Sequence, residues 1–192
     1  IPCGDCRAYE GGGCRRRQLC RVRACCKALG SQQLGTRKDK EAVLSYCRGW
    51  SKTPNISKLA EQVDTSRATV MNYIKYLADA RLINIIYPVG EDFPKKPTKI
   101  MMHNSNLMYS IYPVKVEELD VLDTFFANTL WKDHKVNKGD KNMSFLVDDV
   151  MPFKICPEGM KIKNNPGVTY ALHKAEIGRG NQIPLWMFGF LY

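Results

Sequence analysis

Three groups of side chains in this sequence have types and spacings that could do chemistry: a cysteine cluster, a few carboxylates with three histidines, and basic and amide side chains on a helical period. Cys3 and Cys6 have the C-x-x-C spacing of a zinc knuckle. Cys14 and Cys20 could add two thiolates, and Cys25 and Cys26 complete the cluster. A cytosolic cluster of this kind points to metal before disulfide. No second C-x-x-C or H-x-x-x-H follows, so the spacing of a tetrahedral site is poor. Residues 1–37 also carry the runs Gly11-Gly12-Gly13 and Arg15-Arg16-Arg17 and show no apolar period. We read them as a disordered Cys/Arg-rich segment without a metal. A stretch that is not a natural reading frame is another reading of the same residues.

Asp148, Asp149 and Glu158 are the carboxylates from which a metal-dependent nuclease would have to be built, since Mg²⁺ must be held beside the scissile phosphate. Adjacent residues on a strand face opposite ways, and a solvated turn accounts better for Asp148-Asp149. His103, His134 and His173 stand alone in sequence, and Gly178-Arg179-Gly180 is too short to cradle a phosphate. The sequence holds no G-x-x-x-x-G-K-[ST], G-x-S-x-G or H-E-x-x-H. No cofactor and no catalytic residue is expected; the nuclease stands as the rival reading.

The third group is the most informative. Along Arg67–Arg81, Val70, Tyr73, Ile74 and Leu77 share one face. At 100° per residue Ala68, Asn72, Lys75 and Asp79 then point outward, flanked by Thr69 and Tyr76. Asn72 could bond an adenine edge, and Lys75 a phosphate or guanine. Lys52, Lys58 and Arg67 lie near helix ends, where phosphate contacts form. Lys95, Lys96 and Lys99 follow in the next loop and strand. DNA is the expected partner of this face, although Asp79 opposes it and such faces also bind protein.

The elements that must position these side chains follow from period and punctuation. Ala42, Val43, Tyr46 and Cys47 predict a helix over Asp39–Trp50. Ile56, Leu59, Ala60 and Val63 predict a second, capped by Asn55. Asp64-Thr65-Ser66 turns the chain into the Arg67–Arg81 helix. Leu82–Tyr87 reads as a strand, Pro88–Pro97 as a loop and Thr98–Met102 as a return strand. Helix, helix-turn-helix and hairpin is the order of a winged helix, here residues 38–102.

Residues 103–192 read as a small α+β domain. Asn104 or Ser105 caps a short helix through Tyr112. Val116–Trp131 forms a longer one burying Leu119, Leu122, Phe126 and Leu130. Asn137–Asn142 reads as polar loop. Ser144–Val147, Phe153–Cys156 and Val168–His173 read as strands, and Ile183–Tyr192 as a closing helix or a strand.

The net charge of +10 adds little, because residues 1–37 hold eight Lys or Arg against Asp5 and Glu10. No window has the roughly 20 apolar residues of a membrane helix, and no signal-peptide core is present, so a cytoplasmic protein without a membrane partner is expected. The first residue is Ile1, and the sequence reads as part of a longer protein.

From about Asp39 to Tyr192 the sequence resembles the C-terminal half of a bacterial family of AAA-type ATPases. The resemblance rests on Thr53-Pro54-Asn55-Ile56-Ser57-Lys58-Leu59, Ser66-Arg67-Ala68-Thr69-Val70, Tyr73-Ile74-Lys75-Tyr76-Leu77 and Ala80-Arg81-Leu82-Ile83. It continues through Lys99–Leu107, Thr124–Asn128 and Ile183–Tyr192, in the family's order. It implies a winged helix followed by a degenerate restriction-endonuclease-like domain, with the P-loop ATPase domain upstream of this sequence. Such a domain would carry an acid-acid-lysine remnant. Here Ser144 stands at the first acidic position, Lys154 at the second, and Lys161 or Lys163 at the lysine, so no metal is expected there.

Overall fold

The computed structural model describes residues 54–111, 116–140, 142–162 and 165–191. The readings of residues 1–37, of the Asp39–Trp50 helix, of Lys52 and of Lys163 lie outside the described residues. The fold is mixed α+β with two small sheets.

Helix α1 (Ile56–Val63) starts where the Asn55 side chain accepts the Lys58 N–H at 3.1 Å, and it stops at Asp64 in the left-handed region. Helix α2 (Arg67–Asp79) is capped by Ser66, whose hydroxyl accepts the Thr69 N–H at 3.1 Å. It ends in a Schellman-type turn: the Leu82 N–H donates to Leu77 O at 3.0 Å and the Arg81 N–H to Ala78 O at 2.8 Å. Arg81 supplies the positive φ, 55°, that glycine usually provides there.

Strands β1 (Ile83–Ile86) and β2 (Lys99–Met102) pair antiparallel, Ile83 opposite Met102 and Ile86 opposite Lys99. Side chains alternate across a strand, so this ribbon has two faces. Ile83, Ile85, Ile100 and Met102 join Leu59, Val70, Ile74 and Leu77 in a first core. Ile86 and Met101 join a second core with Phe126, Phe145 and Phe153. Helix α3 (Ser105–Ile111) returns Met108 to the first core, so the packing is shared across residue 102.

Helix α4 (Glu118–Leu130) lays Leu122, Phe126 and Leu130 on the second core. Leu119, expected to be buried, falls in its first turn and is 43% exposed; Val121 packs against the first core instead. Beyond α4 comes a five-stranded sheet in chain order: β3 (Val136–Lys138), β4 (Phe145–Val147), β5 (Met151–Cys156), β6 (Thr169–Leu172) and β7 (Gln182–Pro184). The first three strands are antiparallel, and β5, β6 and β7 run parallel. Phe145, Val147, Phe153, Ile155 and Ala171 face α4, whereas Cys156 and Tyr170 on the other face pack with Met143, Ile162 and Val168.

Strand β3 occupies residues read as the start of a polar loop. It forms because the hairpin loop after β1 lends it a partner: the Lys138 N–H donates to Tyr87 O at 2.9 Å, and Asn137 Nδ2 to Pro88 O at 3.1 Å. The C-terminal run divides into β7 and a 3₁₀ helix, Leu185–Leu191, whose Phe188 meets Phe126 with ring centroids 4.9 Å apart.

Candidate nucleic-acid interface

The α2 face is built by the cap and the core together. With Val70, Tyr73, Ile74 and Leu77 buried, Arg67, Ala68, Asn72, Lys75 and Asp79 are exposed. Thr69 and Tyr76 are half-buried. Thr69 Oγ1 lies 2.8 Å from Ser66 Oγ, so its hydroxyl is engaged at the cap, and Tyr76 packs at the margin of the first core. Lys58 is exposed on α1.

The hairpin loop comes back to this face. Lys75 Nζ sits 4.8 Å from the centroid of the Phe93 ring, a cation–π contact that joins α2 to the loop. Phe93 is 37% exposed. Lys95 and Lys96 follow it on the surface, Lys95 bonded to Glu91 at 3.2 Å.

Lys99 departs from this set. Strand alternation places it with Met101 on the face that meets α4, and its ammonium lies 2.6 Å from Asp123 Oδ2, the two side chains 16% and 8% exposed. It is therefore an internal cation and not part of the outer basic surface. Burial pushes the Asp123 carboxyl above its ordinary value, and the Lys99 charge and hydrogen bond offset this only in part.

The candidate positions beyond residue 102 fall in two places. Ser144, just before β4, neighbours Lys154 of β5: the Ser144 N–H donates to Phe153 O at 2.8 Å, and Ser144 Oγ accepts the Ile155 N–H at 3.1 Å. The Ser144 hydroxyl thus serves the sheet. Lys161 is exposed in the loop after β5.

Asp148 and Asp149 form the β4–β5 turn, both at positive φ, 52° and 58°. Asp148 Oδ2 lies 2.6 Å from His134 Nδ1, and its Oδ1 accepts the Lys135 N–H at 2.8 Å. These bonds, the histidine first, hold its carboxyl below the usual range. Glu158 lies past the far end of the six-residue β5, roughly 20 Å along the strand. It is paired with Lys174, whose hydrogen bond lowers its pKa. The three carboxylates of the nuclease reading do not converge. Among the described residues no group of three His, Cys, Asp or Glu is placed to hold a metal.

Lys99–Asp123 and His134–Asp148 are among the pairings that escaped sequence reasoning. Neither has a local signature, since their partners are 24 and 14 residues apart. Among the described residues no helix is long and apolar enough to cross a membrane. No family model, curated protein or solved structure matches this chain.

Proposed function

We propose that this chain is a DNA-binding, C-terminal portion of an AAA-type ATPase-family protein. In this reading residues 38–102 are a winged helix, and residues 103–192 are a degenerate nuclease-like domain with no catalysis of its own. The observation that carries it is the contact of Lys75 with Phe93. It brings the loop that carries Lys95 and Lys96 against α2, on which Asn72 and Lys75 are exposed, and this supports a surface bearing both amide and cationic groups. Cationic side chains supply affinity for phosphates, and a bidentate amide supplies preference for a base. Asp79, exposed at the end of α2, opposes phosphate approach there, so contact falls to Asn72 and Lys75 ahead of it.

The test is fluorescence anisotropy with labelled duplexes across a salt series. Lys95→Ala/Lys96→Ala should weaken binding to all sequences alike and reduce the salt slope by about one per lost phosphate contact. Asn72→Ala should relax preference at one base pair by about 1–3 kcal/mol. Absence of binding at low ionic strength sinks this reading.

A second reading, a protein-interaction module that regulates an ATPase, is favoured by the exposed apolar ridge of the 3₁₀ helix. Trp186 there is 52% and Phe190 81% exposed. That reading requires indifference to DNA together with retained binding to the ATPase domain. Loss of the latter in Phe190→Ser would support it.

A further inference from the structure

The 3₁₀ helix Leu185–Leu191 is seated on the second core by Leu185 and Phe188, with Phe188 against the rings of Phe126 and Phe153. At three residues per turn Met187 and Phe190 share another face, and both are exposed. Trp186 and Leu191 flank them, exposed as well, and the Trp186 and Phe190 rings meet edge to face with centroids 5.9 Å apart. The Trp186 Nε1 donates to Ala175 O at 3.0 Å, which anchors the loop carrying Ile177, 78% exposed. Reciprocal backbone bonds between Arg179 and Gln182, both 3.0 Å, hold that loop in place. Leu185–Leu191 contains no charged residue, whereas Glu176 and Arg179 beside Ile177 are exposed and opposite in sign.

Ile177, Trp186, Met187, Phe190 and Leu191 together present on the order of 600 Å² of surface, at about 200 Å² for each side chain when fully open. A monomer rarely shows more than roughly 300–600 Å² in one apolar patch. A stable specific interface buries about 1,200–2,000 Å² in total, and two such ridges face to face reach that range by themselves. The charges of Glu176 and Arg179 cancel, so they draw no anionic lipid surface to the ridge. They do complement a second copy, because across a two-fold axis residue i meets j and j meets i. The fixed helix and loop also leave little side-chain and loop freedom to be lost on docking. We propose that a second copy of this chain docks on the ridge, with Trp186 and Phe190 at the centre and Arg179 of each copy against Glu176 of the other. This does not rest on the DNA-binding reading, and it gives the ridge an occupant other than an ATPase domain.

The experiment is sedimentation velocity of the full chain across the micromolar range, with a reductant to keep its eight cysteines from cross-linking copies. A monomer–dimer equilibrium that saturates at the dimer is expected. Phe190→Ser should weaken it about tenfold or more, as loss of a central aromatic does. Because Phe190 is exposed, the melting temperature of the dilute variant should not fall, which separates lost docking from misfolding. Arg179→Glu and Glu176→Arg should each weaken the dimer, and Arg179→Glu/Glu176→Arg should restore it, an outcome that unspecific apolar clumping would not give. A monomer at every concentration overturns the proposal, as does a dimer untouched by Phe190→Ser or by both single charge variants. A chain that stays monomeric yet cosediments with anionic phospholipid vesicles would assign the ridge to a lipid surface and overturn it too.

Discussion

Lys99 and Asp123 show what a single residue pair can decide in this chain. The ammonium is sealed against a carboxyl that burial already holds above its ordinary value. The folded chain therefore binds the Asp123 proton more tightly than the unfolded chain does. Stability falls as pH rises from the ordinary carboxylate range through the folded value. Lys99→Met removes the groups that offset burial, so the loss should reach about 3 kcal/mol at neutral pH and shrink towards pH ~4, read from urea melts at both. Lys99→Met/Asp123→Leu should recover most of it; a double variant as weak as the single one would refute the ion-pair account. The sequence groups Lys99 with Lys95 and Lys96 by nearness along the chain, which does not say which face of the strand it takes. The alternation that placed Ile100 and Met102 inside gave Lys99 the opposite face, but only the second core shows that this face is covered too.

At the scale of elements, local chemistry was legible and tertiary partnership was not. The caps could be read from Asn55 and Ser66, and the turn from Asp148-Asp149, because those side chains act within a few residues of themselves. Ser66→Ala should cost about 1 kcal/mol, lowering the melting temperature by ~2–4 °C. In the β4–β5 turn the two aspartates should separate. Asp149 holds a left-handed backbone, φ 58°, so Asp149→Gly should stabilise by up to about 1 kcal/mol. Asp148→Gly should destabilise, since it forfeits the bonds to His134 and to the Lys135 N–H. Equal effects at both positions in thermal melts would contradict this division. By contrast, β3 was read as loop because its stabilising bonds come from Tyr87 and Pro88, far away in sequence. The apolar C-terminal run held two elements, β7 and the 3₁₀ helix, which hydrophobicity alone does not separate.

For the whole molecule, the β1–β2 ribbon lies between two cores and belongs to both. A truncation ending at residue 102 would expose Ile86 and Met101, so it should lose the sharp urea transition of the full chain; a fragment that unfolds as cooperatively would show the first core to be self-sufficient. The hairpin loop also covers the rim of the larger sheet. With the Lys138 N–H bound to Tyr87 O and Asn137 bound to Pro88 O, edge strand β3 offers a second molecule little to pair with. Shortening Pro88–Pro97 to a tight turn would free that rim. Such a variant should remain folded when dilute yet add strand to strand as concentration rises, which light scattering would detect. The loop proposed to meet DNA would then serve a second end, guarding against aggregation.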